Sequence, residues 1–268
     1  MADIRMGVIG CSGRMGRMLL ADIAAAEGCE LAGGTAKPGS AYVGADLGEL
    51  AGIGRIGLGA GNAPGQLIGD SDVVIEFSTP AATASHVALA AEQGTPMVIG
   101  TTGLSAGETA ALREAGKRIP IVWAANTSLG INLLLGLVEQ VAARLGPDWD
   151  IEIMEMHHRG KVDAPSGTAL ALGRAAASGR GTNLDQVAQR GRDGITGARR
   201  SGDIGFASLR GGDAVGDHHI VFAGAGERLE LSHRATNRAI YAKGAVRAAR
   251  WVIGRPPGIY GMKEVLEL

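Results

Sequence analysis

Three glycines set between an apolar run and a helix-like stretch narrow the fold of this chain more than any other feature. Residues 4–10, "IRMGVIG", form a short apolar run closing on glycine, the profile of a buried parallel strand, and residues 15–26 carry helical spacing. Between them, "GCSGRMG" places glycines at 10, 13 and 16. In that setting Gly10 permits the tight turn, Gly13 lets the backbone approach a pyrophosphate, and Gly16 permits close packing of helix on sheet. Amides left over at the helix N-terminus then suit phosphate oxygens. A purely structural glycine turn is the competing explanation, and the strand-loop-helix setting favours a dinucleotide site over it.

The alternation continues downstream. Residues 29–36, 72–78, 96–102 and 119–126 read as strands, with helices over 81–93 and 105–117. Strands and helices alternating at this spacing predict βαβ units and a Rossmann-like, doubly wound parallel sheet. The pattern then changes to a long helix over 129–145, a partly alternating strand over 150–158 and a helix over 166–177. A polar, arginine- and glycine-rich stretch over 179–202 reads as irregular, and three strand-like runs follow, with Leu229, Leu231 and His233 on one face. A helix over 237–253 and the run "PPGIYGMKEVLEL" close the chain. The expected class is α/β with a second, smaller α+β domain. The division expected is 1–127 with 238–268 for the dinucleotide, and 128–237 for substrate and assembly.

Composition excludes several partner classes. With 268 residues, 46% hydrophobic and 20% charged, the chain reads as a soluble globular protein. A net charge of −1 and 3% aromatics offer no electrostatic or stacking case for nucleic acid, and the charge none for a membrane surface. No signal peptide or transmembrane run is read. Two cysteines, Cys11 and Cys29, are too few for a disulfide scaffold, so the expected compartment is the cytoplasm.

Cofactor choice turns on the end of the second strand, "GGTAKPGS". A site selecting NAD usually offers a carboxylate there to the ribose 2′-hydroxyl. Here Ala36 offers none, and Lys37 and Arg14 are cations within reach of a 2′-phosphate. NADPH is the expected preference, with NADH still possible.

"EMHHRGKVDAPSGTAL", residues 155–170, carries the chemistry. Side chains alternate along a strand, so His157 and His158 cannot both face one pocket unless the strand ends there. One imidazole can then serve as proton donor near neutral pH while the other contacts the substrate. Lys161 adds a positive charge, and Ser166, Gly167 and Thr168 open the next helix with anion-binding groups. A zinc site with Glu155 lacks a third ligand at a familiar spacing, so no metal is expected. Ser166 lacks the elbow of a hydrolase nucleophile. His86, His218, His219 and His233 read as structural or interface residues. Two other readings stay open: a thioester-forming dehydrogenase, for which neither cysteine is well placed, and a dinucleotide sensor, for which no DNA-binding element is seen.

Together with "DVVIEFSTP", "VIGTTG", "AANTSLGIN", "GFASLRGGDAVGDH", "ERLELSHRA" and "GIYGMKEVLEL", these segments closely resemble the bacterial 4-hydroxy-tetrahydrodipicolinate (dihydrodipicolinate) reductases of lysine and diaminopimelate biosynthesis, nearly end to end. The resemblance implies reduction of a small dicarboxylate cyclic imine by hydride transfer plus protonation, in a homotetramer joined through its central sheets. It implies that Gly10, Cys11, Ser12, Gly13, Arg14 and Met15 hold the pyrophosphate and that Ala36 and Lys37 lie at the adenosine ribose. Gly100, Thr101 and Thr102, with Ala124, Ala125, Asn126 and Thr127, would line the nicotinamide. His157 matches the proton donor and Lys161 a second donor, and His158, Gly167 and Thr168 match contacts to substrate carboxylates. Three positions depart from some members: Ala36 replaces an acid, Thr127 a phenylalanine, and Gly160 a histidine.

Overall fold

The computed structural model describes residues 2–268. The chain divides into two compact units, one running from the N-terminus to Leu129 and resuming over Ala239–Glu267, the other spanning Gly130–Arg238 with Leu268.

The first unit opens with β1 (Ile4–Ile9), α1 (Arg14–Ala25), β2 (Cys29–Thr35), α2 (Leu47–Ala51) and α3 (Pro64–Gly69). It continues through β3 (Val73–Glu76), α4 (Pro80–Gln93), β4 (Met97–Ile99), α5 (Ala106–Gly116) and β5 (Pro120–Trp123). After α6 (Leu129–Leu145), the second unit carries β6 (Asp150–His157), α7 (Gly167–Gly179), α8 (Leu184–Val187) and β7 (Ala188–Gln189), then β8 (Ile204–Arg210), β9 (Gly216–Gly224) and β10 (Glu227–Ala235). The chain returns to the first unit as α9 (Ala239–Val252), β11 (Gly258–Tyr260) and α10 (Met262–Val265).

The first sheet has the order β11-β5-β4-β3-β1-β2, and every pairing is parallel. Strands β3, β4 and β5 carry unbroken apolar stretches because both faces of the sheet are covered there. Val73 and Ile75 of β3 join Met6, Val8, Leu19, Leu20 and Ile23 with Ala245, Ala249 and Val252 of α9. Val74, between them, faces the opposite side with Val87, Ala90, Met97 and Leu112. Each such fully buried aliphatic side chain contributes about 1.5–3 kcal/mol relative to exposure. Helices on both faces of a parallel sheet make the doubly wound architecture the alternation predicted.

Three stretches depart from the sequence reading. The closing run forms an edge strand, β11, and a short helix, α10; three residues after Pro256 and Pro257 are too few to show alternation. The stretch 179–202 is not wholly irregular, since α8 and the two-residue β7 lie within it. Two of its arginines are fastened to β6, with Arg192 and Arg199 on Glu152 at 2.8 and 2.9 Å and Arg199 on Asp150 at 2.6 Å. Short helices α2 and α3 fill the interval between β2 and β3.

The second sheet is mixed, in the order β10-β9-β6-β8-β7, with β6 antiparallel to β9 and parallel to β8. Register places Ile151, Ile204 and Phe222 in one row of the sheet and Ile153, Phe206 and Ile220 in the next, all buried with Leu134 and Val138 of α6 and Leu172 and Ala176 of α7. The other face carries Met154, Met156 and Leu209, exposed by 41, 36 and 51%. No helix among the described residues is long and apolar enough to cross a membrane.

Candidate active site

In the first unit the glycine loop is built from backbone. Gly10 sits at φ +84°, and a Cβ there would lie 2.2 Å from the carbonyl oxygen of Phe77. A Cβ on Gly16 would lie 2.1 Å from the carbonyl oxygen of Gly10, so helix α1 packs onto the loop only with glycine at that position. Gly10 and Cys11 donate their amides to the carbonyl of Thr35 at 2.9 and 3.0 Å, pinning the loop to the end of β2. The Arg17 side chain donates to the carbonyl of Ser12 at 3.0 Å and lies over the Tyr42 ring. Helix α1 has no side-chain cap and no acidic residue in its first turn. Helix α5, by contrast, begins with a capping box of Ser105 and Glu108. An N-terminus left uncapped by side chains, on a loop that glycine lets fold tightly against its own backbone, fits the pyrophosphate of a dinucleotide.

Around this loop the residues expected at the cofactor take different stations. Gly13, Arg14 and Lys37 are exposed, and Ser12 and Met15 are half-buried. Ala36 is buried and offers no side-chain acceptor. Cys11 is fully buried against Gly34 and Leu47, where desolvation pushes its thiol up to about 11, so its side chain belongs to the core.

Near the C-terminal ends of β3 and β4, a carboxylate missed in the sequence organises two loops. Glu76 is fully buried and accepts from Thr101 Oγ1 at 2.6 Å, from Ser78 Oγ, and from Thr83 Oγ1 at 3.2 Å. His86 lies 3.4 Å from the same carboxylate. Thr101 Oγ1 in turn accepts the Ser78 amide at 2.9 Å. The loop beginning at Gly100 is thus tied to the loop after β3, leaving Thr102 exposed. Farther along, Ala125 is exposed and Ala124 half-buried, while Asn126 accepts the Ser128 amide at 2.9 Å. The Thr127 hydroxyl is turned inward, donating to the carbonyl of Tyr241 in α9 at 2.7 Å.

In the second unit the two apolar rows of the sheet give way to two polar ones on the same covered face. Register aligns Glu155 with Ser208 and His218, then His157 with Arg210, and Gly216 lies at the neighbouring end of β9. The strand ends at His157, as the adjacent histidines require. His157 Nδ1 lies 2.5 Å from Glu155 Oε2, and Arg210 grips both oxygens of Glu155 at 2.8 Å each. The Ser166 amide donates to Glu155 Oε1 at 3.2 Å, while the Ser166 hydroxyl caps α7 on the Ala169 amide at 3.1 Å. Burial works against charge on Glu155, yet Arg210, His157, Ser208 and the Ser166 amide together pull its pKa down to about 2. His218 meets His157 edge-to-face at 5.2 Å, and burial, with His157 beside it, holds its pKa near 4.

The remaining predicted residues gather on the turn after β6. His158 is half-buried, and its carbonyl accepts the Lys161 amide at 3.1 Å. Lys161 Nζ pairs with Asp163 at 2.8 Å, and Arg210 also donates to the Asp163 carbonyl at 2.6 Å. Gly167 is exposed at the start of α7 and Thr168 half-buried. Residues 157–168 therefore share one end of the second unit. Glu155, Arg210 and His218 were not singled out as its working parts. Glu155 could have been, since it lies two residues before His157 on the same strand face. No cluster of metal-binding side chains occurs among the described residues.

Known proteins resemble the chain along its whole length. The family model "Dihydrodipicolinate reductase, N-terminus" matches residues 4–127, and "Dihydrodipicolinate reductase, C-terminus" matches 130–266. The chain is 53% identical to a 4-hydroxy-tetrahydrodipicolinate reductase of Magnetococcus marinus, covering 98% of each chain. It is 55% identical to one of Parvibaculum lavamentivorans, covering 99% of this chain and 98% of that one. Among solved structures, a dipicolinate-bound dihydrodipicolinate reductase from Paenisporosarcina sp. TG-14 superposes with a TM-score of 0.81 at 25% identity, covering 98% of this chain and all of that one. An amine dehydrogenase from Mycobacterium smegmatis, at TM-score 0.59 and 16% identity, shares the fold. With both halves matched in order and half the residues identical to such relatives, the chain belongs to the dihydrodipicolinate reductase family.

Proposed function

We propose that this protein reduces 4-hydroxy-tetrahydrodipicolinate to tetrahydrodipicolinate, using a nicotinamide dinucleotide and a histidine proton donor. The observation that carries this is the polar end of the second sheet, where His157 closes β6 against Glu155 and leads directly into the Lys161 turn and the start of α7. A reduced dinucleotide, when bound, supplies the hydride. Once the 4-hydroxyl has left as water, reduction of the resulting conjugated cyclic imine drives electrons onto the ring nitrogen, and His157 gives that nitrogen its proton. Lys161, a second donor, and His158, Gly167 and Thr168 hold the two carboxylates and so fix the ring for reaction, where orientation contributes most.

The exposed amides and Arg14 at the start of α1 hold the pyrophosphate, and the Gly100–Thr102 and Ala124–Thr127 segments line the nicotinamide. Buried Ala36 gives nothing to a free 2′-hydroxyl, whereas exposed Lys37 and Arg14 reward a 2′-phosphate, so NADPH is preferred over NADH. The apolar side chains on the open face of the second sheet suit burial against further copies, in keeping with a homotetramer joined through these sheets. Free thiols at Cys11 and Cys29 suit a reducing cytoplasm.

The test is a coupled assay with freshly generated substrate and each reduced cofactor, read at the nicotinamide absorbance band. Absorbance should fall only when substrate is present, and faster with NADPH. A protein that binds the cofactor without ever oxidising it would be a dinucleotide-binding protein and not a reductase.

A further inference from the structure

We infer that Glu155 is the positioning residue of the proton donor, holding the Nδ1–H of His157 so that the opposite ring nitrogen, Nε2, carries the proton to substrate. The inference rests on the reading of His157 as donor and extends it to the group behind it. A neutral imidazole has one N–H, and whichever nitrogen is held by an acceptor keeps it. Glu155 is 1% exposed, and its Oε2 lies 2.5 Å from Nδ1. The carboxylate itself cannot turn away. Arg210 bridges both of its oxygens at 2.8 Å, and the Ser166 amide takes Oε1 at 3.2 Å.

On the far side of the ring, a Cβ on Gly216 would lie 2.9 Å from His157 Nε2, so the imidazole keeps this position only because β9 carries glycine there. The charged and titratable groups facing His157 are Glu155 on its own strand, Arg210 on β8 and His218 on β9. Arg210 is neutralised by Glu155, and His218 stays uncharged near neutral pH, so the carboxylate is the charge that His157 meets directly. In the reaction, the protonated ring loses the Nε2 proton to the substrate nitrogen and returns to neutral imidazole, still donating Nδ1–H to Glu155. Arg210 also holds the Asp163 carbonyl at 2.6 Å, so one guanidinium sets both the donor and the turn that carries Lys161.

The direct test is ¹⁵N NMR of the ring of His157 in the full-length protein, assigned by its loss in His157→Gln. At a pH where the ring is neutral, the Nδ1–H tautomer should dominate, against the Nε2–H form that free histidine favours. A dominant Nε2–H tautomer overturns the inference, and this reading needs no Glu155 variant to fold.

Kinetics supply the second arm. Glu155→Gln should lower kcat by about 10- to 100-fold, the scale of an impaired general acid, with substrate KM changed less than about threefold. In a His157→Gln background the same change should cost less than about twofold, because the two groups act as a unit. Independent, multiplicative losses would overturn the positioning role. If His157→Gln itself keeps wild-type turnover, the donor assignment fails; if His157→Gln is impaired while Glu155→Gln is not, only the present inference fails.

Discussion

The two units build their sites from opposite materials. In the first, the loop at Gly10–Gly16 is backbone, shaped by what is missing: no Cβ at 10 or 16, no side-chain cap on α1, no carboxylate at Ala36. In the second, the end of β6 is made of polar and charged side chains, with Glu155, His157, Arg210 and His218 meeting through the sheet register. A backbone cradle is set by sterics and responds little to pH. A buried ionic network depends on the protonation of each member, and removing one partner leaves the others uncompensated. If the loop holds the cofactor and His157 delivers the proton, as proposed, the two tasks should be separable, and a variant in one unit should spare the other.

The largest expected effect lies in the second unit. His157→Gln should lower turnover by about 100-fold or more at saturating substrate, the usual scale for losing a general acid. Steady-state kinetics check this, and wild-type turnover in the variant would remove His157 from the mechanism.

Acid should next separate the two sites. The His218 pKa lies near 4, below its ordinary 6.5, so the unfolded chain takes up a proton first as pH falls. The stability His218 contributes is complete above pH 6.5 and lost between 6.5 and 4, by about 3 kcal/mol at most. Glu155, depressed from 4.5 to about 2, acts lower down: its contribution is complete above pH 4.5 and lost as pH falls through 2. Cys11, raised to about 11, stays neutral throughout. Denaturant titrations from pH 7 to pH 4 should show the first loss, and His218→Phe should flatten it. An unchanged slope in that variant would mean that another group carries the dependence.

The reciprocal break lies in the first unit. Gly16→Ala sets a Cβ 2.1 Å from the Gly10 carbonyl oxygen, where backbone must shift. Dinucleotide affinity should fall about 10- to 100-fold, the equivalent of roughly 1–3 kcal/mol of overpacking strain. Binding of a planar pyridine dicarboxylate, measured by calorimetry, should stay within about twofold. Loss of both would mean the sites are coupled.

How far these sites were legible follows from the same contrast. The glycine loop occupies seven consecutive residues, and the parallel strands on either side of it declare themselves by apolar runs, so the first unit and its site could be read in order. His157, His158 and Lys161 were legible for the same local reason. Arg210 and His218 were not, because they reach Glu155 only through the registers of β8 and β9, more than 50 residues away in sequence. Glu76 was read as one letter of a buried strand; its partners Thr83, His86 and Thr101 come from two later segments. Short elements such as β11 escaped because three residues show no period.

The smallest expected effect is cofactor choice. Lys37 and Arg14 are exposed, and water and salt screen what they offer a 2′-phosphate. NADPH should be favoured by roughly 5- to 100-fold at low salt and less as ionic strength rises. Lys37→Ala should remove much of the preference and leave NADH use nearly intact. Equal or better efficiency with NADH at low salt would mean that another group binds the ribose.

The separation of the two sites is tested most directly by titrating reduced dinucleotide into His157→Gln and following nicotinamide fluorescence. The predicted dissociation constant lies within about twofold of wild type, because the loop at Gly10–Gly16 is untouched while proton delivery is lost. A constant weakened by about tenfold or more would contradict the account, since the histidine network would then be part of how the cofactor is held.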